Sequence, residues 1–401
     1  MPAAHRECSV QSFPFGEPHG LEFDARFDKV RADEPLCRVR TPYGVDAWLV
    51  TRHEDVRTVL VDPRFSRAAG LGRDEPRITE DIQPRGILDM DPPKVTRMRR
   101  LVAGAFTARR VERLRTRALE ISHQLVDAIV AKGAPADLVA DFGFPLAVTM
   151  ICELLGVPVG DRPEFETWSQ ALVATTAFSP TERGAQIGAL MAYMGGLVRQ
   201  RREEPTDDLL GALVAARDGH GRLTEEELIF LAGGLLAAGH ETTATQIPNF
   251  VYVLLSHPDQ LALLRSRPEL LPSAVEELMR WVPLTLSLPV PRWALEDIEL
   301  SGGTVKAGEP VFAQMSAANR DPGVFQDPQR LDITRRPNPH VGFGHGIHHC
   351  LGAQLARLEL QVAISVLFER LPDLELAVAD TDLKWRTGHA LRGLLALPVR
   401  F

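Results

Sequence analysis

A mainly α-helical fold with a smaller β-rich part is predicted by three features of the 401-residue sequence. Apolar residues recur at helical spacing from Leu138 to Arg217, with no credible strand among them. Near the start, Cys37 to Thr41 and Ala47 to Thr51 read as two strands joined by a turn at Pro42-Tyr43-Gly44. No Gly/Ser-rich or Pro-rich linker and no internal repeat divides the chain, so a length that would allow two or three domains is expected to build one.

Taken in order, a short helix is expected near Phe23 to Ala32, then the two strands, then a helix over His53 to Val61. Asp62 to Asp91 is rich in Gly, Pro, Arg and Asp and reads as a long loop of the kind that covers sites. Helical spacing returns from Asp91 to about Ile129, where Arg97, Arg99, Arg100, Arg109, Arg110, Arg113 and Arg115 form a basic stretch that could serve as a docking face. Further helices are predicted over Leu138 to Leu155, Arg162 to Ala174, Pro180 to Arg202 and Asp207 to Arg217. The strongest starts at Thr224, where Thr-Glu-Glu-Glu supplies a capping box through Glu227, and runs to Ser256 before His257-Pro258. Its middle carries Gly233, Gly234 and Gly239, each costing about 1 kcal/mol against alanine, followed by the polar His240-Glu241-Thr242-Thr243. Space for a ligand, local widening of the helix, or tight helix packing would each account for that run.

Composition narrows the class. Acidic residues outnumber basic ones by 53 to 45, a net charge of -8, which argues against general affinity for nucleic acid or anionic membrane. No apolar run approaches the roughly eighteen residues of a membrane span, and Met-Pro-Ala-Ala-His-Arg-Glu-Cys has no signal-peptide core, so a cytoplasmic protein is expected. Cys8, Cys37, Cys152 and Cys350 are too few and too scattered to staple the chain, and disulfides are not expected.

The stretch that organises the chain is Phe343 to Gly352, Phe-Gly-His-Gly-Ile-His-His-Cys-Leu-Gly, with a helical pattern running on from Leu351. Gly342, Gly344 and Gly346 let the backbone turn sharply and lie against a flat ligand, while Phe343 can shield a sulfur. A helix beginning after Cys350 would favour its thiolate. Three readings are open from the residues alone: a structural cysteine, a zinc centre with His345, His348 and His349, or a thiolate ligand to the metal of a planar macrocycle. Against zinc, the histidines crowd one short loop with no paired ligands elsewhere.

The pattern Phe-Gly-x-Gly-x-x-x-Cys-x-Gly resembles the haem-binding loop of the cytochrome P450 family at every fixed position. The resemblance runs from about Tyr43 to Phe401 and implies a single-domain, triangular fold over residues 1–401, its β-rich part mainly in 35–55, 285–335 and 370–401. It implies haem b, iron protoporphyrin IX, ligated by Cys350, with Phe343, Gly344, Gly352 and Ala238 against the macrocycle and Arg99, Arg292 and His348 on its propionates. Val95 stands where many bacterial relatives carry a propionate-binding histidine, so that contact should be absent or replaced, by Thr96 or water. Ala238-Gly239-His240-Glu241-Thr242-Thr243 resembles the oxygen-activating motif, with Thr242 holding an ordered water and Glu241 feeding protons. Glu277 and Arg280 match the family's Glu-x-x-Arg and imply a buried group with Arg330 that braces the haem loop, although Gln329 and Leu331 depart from the usual residues there.

By that resemblance the chain is a haem-thiolate monooxygenase taking electrons from a ferredoxin and its NAD(P)H-dependent reductase, acting on O2 and a bulky, mostly apolar substrate, and working as a monomer. The chain contains no nucleotide-binding unit of its own. Pro42-Tyr43-Gly44, Phe106-Thr107-Ala108-Arg109-Arg110 and Trp281-Val282-Pro283-Leu284 look like actinobacterial enzymes that tailor macrolides and other polyketides. Substrate contacts are expected from the loop between Ser66 and Leu88, from Ala174 and Ala185, from Leu235 and Ala238, from Leu286, Ser287 and Leu288, and from Leu391. The rival readings are a peroxide-using enzyme, a haem sensor or electron carrier without substrate chemistry, and a monooxygenase for a carrier-bound peptide or amino acid.

Overall fold

The computed structural model describes residues 10–16, 19–82, 85–104, 106–158, 160, 162–220, 223–285 and 290–401. The helices are α1 (Arg26–Asp33), α2 (His53–Val61), α3 (Lys94–Ala103), α4 (Ala108–Lys132), α5 (Phe144–Leu155), α6 (Arg162–Val173) and α7 (Pro180–Glu203). They continue with α8 (Leu209–His220), α9 (Glu225–Ser256), α10 (Pro258–Ser266), α11 (Leu271–Trp281), α12 (Met315–Ala318) and α13 (Ala353–Arg370). The chain forms two compact units, one of Met1–Thr96, Met279–Leu331 and Arg336–Cys350, the other of Arg97–Leu278, Asp332–Arg335 and Leu351–Phe401. Both are discontinuous in sequence, which is why no linker marks a boundary.

The first unit is built on a six-stranded sheet in the order Gln11–Ser12, Leu36–Arg40, Ala47–Val50, Pro310–Ala313, Arg292–Ala294, Phe65–Ser66. Alternation places Cys37, Val39, Ala47, Leu49 and Phe312 on one face, under Phe13, Phe15, Phe27 and Val30. Leu36, Val50 and Val311 face the other way, with Val56, Val59 and Leu60 of α2 and Val341. Both strands of the expected hairpin are present and antiparallel, with Leu36 opposite Val50. The expected loop of 62–91 is irregular but not featureless. It contains the Phe65–Ser66 strand, paired with Trp293 and Ala294, and single turns at Ala68–Gly70 and Gly86–Asp89.

The second unit is helical around α9, which begins with the expected capping box between Thr224 and Glu227 and is packed by α5, α13, α7, α6, α8 and α10. The single pattern expected from Asp91 to Ile129 resolves into α3 and α4. Gly104 and the non-helical Thr107 before Ala108 mark the interruption, a glycine and a capping-type residue being the usual signals of a helix end and a helix start. Residues Val139–Gly143 form one π-helical turn before α5. A side chain on Gly143 would come within 3.1 Å of Ala244 O, the carbonyl that Pro248 cannot bond for lack of an N–H. Local widening of α9 does not occur: it is α-helical throughout. Gly233 and Gly239 instead admit Met191 and Ile151, so tight packing accounts for both. Among the described residues no helix is long and apolar enough to cross a membrane.

One acidic side chain is out of place in this core. Glu359 of α13 is 1% exposed, its Oε2 has no hydrogen-bond partner, and burial pushes its pKa well above the carboxylate range. The native protein therefore keeps this carboxyl protonated where the unfolded chain releases the proton, so stability falls as pH rises above about 4, by at most about 1.4 kcal/mol per pH unit. Glu359→Gln is expected to match the parent in urea unfolding near pH 4 and to exceed it increasingly toward pH 8.

Candidate active site

In the first unit the cysteine loop is fixed at several points. Asn319 Oδ1 accepts from Val341 N at 2.8 Å, and His53 Nε2 lies 2.9 Å from Pro339 O. Gly344 and Gly346 have φ of 72° and 69°, and a side chain on Gly346 would come within 2.7 Å of Leu60 O in α2. Cys350 N donates to Phe343 O at 2.8 Å, which brings the cysteine back beside the buried Phe343. Cys350 is exposed, Cys37 and Cys152 are buried, none of the three is in a disulfide, and Cys8 lies outside the described residues. The helix that follows starts at Ala353 with Gly352 as its N-cap, two residues later than the sequence pattern suggests. Arg57 donates to His345 Nε2 at 3.3 Å, and burial together with that charge pushes the His345 pKa down. Among the described residues no three His, Cys, Asp or Glu side chains gather as a metal site, so the zinc reading has no geometry behind it.

Arg280 supports the loop through carbonyls. Its guanidinium, 1% exposed, donates to Asn319 O at 2.9 Å, Pro328 O at 2.8 Å and Arg330 O at 3.1 Å. Since Asn319 in turn holds Val341, the buried cation is linked to the cysteine loop by two hydrogen bonds. Glu277, fully buried, accepts from Arg335 Nε at 3.1 Å and from Asp332 N at 2.9 Å. Arg335 thus bonds Glu277, and Arg330, exposed as a residue, brings its carbonyl to Arg280. The sequence signal for Arg335 was its spacing in Asp332-Ile333-Thr334-Arg335, where the Asp332 side chain and the Glu277 carboxylate fold the turn between them.

Of the expected propionate ligands, Arg292 is 4% exposed, and its Nε and Nη2 have no acceptor. Burial pushes its pKa down to about 10. Arg67, missed in the sequence because it sits in a loop, is in the same condition: Nε and Nη1 are covered without an acceptor although the residue as a whole is half-buried. Burial, then the charges of Arg292 and Arg85, push its pKa down to about 9. Arg99 is half-buried on α3, His348 is half-buried in the cysteine loop, and Val95 is fully buried.

In the second unit α9 is covered on all but one face. Gly234 has open space beside it, Leu235 is half-buried, Ala238 is exposed and Thr242 is partly uncovered, positions that align at helical spacing. Thr242 Oγ1 donates to Ala238 O at 2.9 Å, which leaves the hydroxyl its acceptor lone pairs. Glu241, one residue round the helix, is 1% exposed. Ser169 Oγ donates to its Oε1 at 2.7 Å, His240 Nε2 lies 2.7 Å from Ser169 Oγ, and His240 Nδ1 lies 2.8 Å from Leu236 O. Arg386 Nη1 is 3.6 Å from the other carboxylate oxygen. Burial pushes the Glu241 carboxyl up, but the His240 hydrogen bond and charge, with Ser169 and Arg386, hold it below its ordinary range.

The expected substrate positions distribute unevenly. Ala174 and the segment before Leu391 meet, since Ala174 bridges His389 and Ala390 N donates to Val173 O at 2.8 Å. Leu88 is exposed on its turn in the first unit, and Ala185 is exposed on α7. Leu286, Ser287 and Leu288 lie outside the described residues.

The family model described as Cytochrome P450 matches residues 34–267 and 262–375. The chain belongs to the cytochrome P450 family. It is 54% identical to the mycinamicin IV hydroxylase/epoxidase of Micromonospora griseorubida, over 97% of this chain and 98% of that protein. It is 50% identical to the nocardicin C N-oxygenase of Nocardia uniformis subsp. tsuyamanensis, over the same shares. Its structure superposes with a TM-score of 0.92 on the LnmA cytochrome P450 hydroxylase of the leinamycin pathway of Streptomyces atroolivaceus, at 52% identity, covering 98% of this chain and 100% of that one. The protein is accordingly a cytochrome P450 monooxygenase with the fold of that family, and haem iron, O2 and redox partners come with the assignment. The residues fit the cofactor. Four covered guanidinium nitrogens on Arg67 and Arg292 want an anion, and Cys350 offers an accessible sulfur.

Removing one partner of a buried ion pair leaves the other charge uncompensated, at a cost of about 3–5 kcal/mol. Arg335→Ala is expected to destabilise the P450 by that order in urea unfolding, whereas Arg330→Ala, which keeps the main-chain carbonyl, should cost under about 1 kcal/mol.

Proposed function

We propose that this cytochrome P450 inserts one oxygen atom from O2, by hydroxylation or epoxidation, into a macrolide or other bulky, mostly apolar polyketide. The observation that carries the reading is the uncovered face of α9, an apolar strip of Gly234, Leu235 and Ala238 that ends at the Thr242 hydroxyl beside a buried carboxylate. The near full-length similarity to the mycinamicin IV hydroxylase/epoxidase supports the substrate class. Leu88, Ala174, Leu235, Ala238, Leu286, Ser287 and Leu391 are the proposed contacts, apolar except for Ser287, a set suited to a large ligand held by few polar groups. The relative that oxygenates nitrogen favours a second reading, in which nitrogen accepts the oxygen. Product analysis with macrolactones and amine-bearing substrates, using a ferredoxin and its reductase, tests both. Absence of any oxygenated product across the panel would remove the macrolide assignment.

Haem b, when bound, supplies the iron at which dioxygen is reduced and from which one oxygen atom is transferred. Cys350 would ligate that iron as thiolate, and the hydrogen bond from Cys350 N to Phe343 O sets the cysteine beside a buried ring that would help to shield the bound sulfur. Arg99, Arg292 and His348 would hold the propionates, with Gly344, Gly352 and Ala238 allowing close approach of the ring. Thr242 Oγ1, its proton committed to Ala238 O, would accept a hydrogen bond from an ordered water and so fix its place. Glu241 moves protons to that water. Ser169 carries one hydroxyl proton, so when it donates to Glu241 Oε1 its oxygen accepts from His240 Nε2, and when it turns to His240 the shared proton rests on Glu241. The lowered pKa of Glu241 favours the first arrangement, with the carboxylate ionised and ready to be recharged from the side of Arg386, which is 14% exposed.

Replacing the sulfur removes the proposed ligand. Cys350→Ala is expected to lose the carbon monoxide difference band that defines the family and all NAD(P)H-supported turnover, read by spectroscopy of the purified holoenzyme.

The proposal includes a separate ferredoxin, docking in the cytoplasm on a monomeric, single-domain enzyme. Arg100, Arg109 and Arg113 are exposed on α3 and α4, whereas Arg97 is bonded to Glu227 and Arg115 to Glu112. Charge reversal by Arg109→Glu with Arg113→Glu should slow first-electron transfer by about tenfold at low ionic strength, with the gap closing as salt screens the face and substrate affinity unchanged. Stopped-flow reduction across a salt series reads it.

A further inference from the structure

We propose that Arg67 is a second anion-binding arginine beside Arg292, and that the pair holds one haem propionate in place of the histidine contact that Val95 removes. The inference rests on the haem-binding reading of the first unit and adds to it a residue outside the motifs described above.

The placement follows from the sheet. Phe65 pairs with Ala294 and Ser66 with Trp293, so the next step of the antiparallel register sets Arg67 opposite Arg292. Facing positions of an antiparallel pair share one side of the sheet, and the two guanidiniums feel each other's charge. Asp91 attracts both charges and Asp89 attracts Arg67, but neither acid accepts a hydrogen bond from the covered guanidinium nitrogens. Asp91, the one acid whose charge acts on both, is taken up by the Ser66 hydroxyl, Arg67 N at 3.0 Å and Ala68 N at 3.4 Å, all of which fold the turn. Asp89 and Glu75 belong to Arg85, which donates to Asp89 Oδ1 at 2.8 Å and to the Glu75 oxygens at 2.8 and 2.7 Å. What is left is Nε and Nη1 of Arg67 and Nε and Nη2 of Arg292, covered and without an acceptor.

Two like charges buried side by side are unfavourable unless an anion joins them, and a carboxylate accepts from two guanidiniums through its two oxygens. The depressed pKa of each arginine has the same origin, burial first, and would be relieved by the same anion. Thr96, a neutral donor, could not supply the missing charge. A propionate is the anion for which the unit is otherwise equipped, since the family resemblance assigns Arg292 to it and Cys350 lies in the same unit.

The experiment compares haem release to excess apomyoglobin from the parent holoenzyme, Arg67→Met and Arg67→Lys, each carrying either native haem or its dimethyl ester, whose propionates are neutral. With native haem, Arg67→Met should release at least about tenfold faster and Arg67→Lys at an intermediate rate. With the ester the variants should agree within about twofold. The propionate-bending band in resonance Raman spectra should shift in Arg67→Met while the iron–sulfur stretch stays in place. Equal release rates with native haem would overturn the proposal, and so would a difference that persists with the ester, because that would be a packing effect. Failure of the parent itself to bind haem through Cys350 would instead sink the underlying reading, and the carbon monoxide band reports that separately.

Discussion

The helix α9 has to satisfy two opposed demands, and the second unit follows from how it does so. It is buried against α5, α6, α7, α8, α10 and α13, yet one face must stay bare. Side chains cannot be removed from one face of a helix without loss of helix propensity, about 1 kcal/mol for each glycine relative to alanine. Packing offsets that loss. Gly233 and Gly239 are filled by Met191 and Ile151 from neighbouring helices, so the glycines that look like gaps in the sequence are contacts. Only Gly234 opens onto free space, and with Leu235, Ala238 and Thr242 it marks the uncovered strip. Because successive residues turn by about 100°, Glu241 next to Thr242 points into the buried side, where Ser169, His240 and Arg386 can receive it. The juxtaposition of a hydroxyl on the open face and a carboxylate on the closed face is thus a property of helical geometry once the strip exists.

The cysteine loop is made rigid by different means. Its residues cannot bury much apolar surface, being mostly glycine and histidine, so it is held by hydrogen bonds that end on buried polar groups. Arg280 spends its donors on carbonyls of 319–330, Asn319 passes the constraint to Val341, and His53 meets Pro339. Networks of this kind are costly when incomplete and specific when complete, which suits a loop that must present one sulfur in one place.

How much of this could be read in the sequence divides by the range of the interaction. α9 with its capping box, α2, the Leu36–Arg40 and Ala47–Val50 strands and the cysteine loop were legible because their signals are local: periodicity, cap residues, turn residues. The two-residue strand Phe65–Ser66 was not, because it has too few residues for a period and exists only through Trp293 and Ala294. Helices α3 and α4 merged into one pattern because both present apolar residues at the same spacing on either side of Gly104. Arg335 was passed over for Arg330 since either arginine follows the Glu-x-x-Arg helix at a permissible distance, and only the fold of the 332–335 turn decides which reaches Glu277. Arg67 gave no signal at all. In sequence it is one arginine among several in a loop, and its significance lies in what it lacks, an acceptor, which only coordinates can show.

Buried charge is the thread that joins these parts. Replacing a buried ionic group by a well-packed apolar one is often neutral or stabilising, so a fold under selection for stability alone has no need of it. Among the buried charged groups of the described residues, three near the proposed site differ in how they are answered. Glu277 is matched by Arg335, and Glu241 by His240, Ser169 and Arg386, so those two are complete within the protein: the first fixes a turn, and in the second the partners hold the carboxyl below its ordinary range despite burial. Arg67 and Arg292 each keep two covered nitrogens without an acceptor. A complete pair can be explained by architecture. An incomplete one, with two cations on facing positions of one sheet and the neighbouring acids already engaged, points outside the polypeptide for its partner, and the family to which the chain belongs supplies a dianionic cofactor that would provide it.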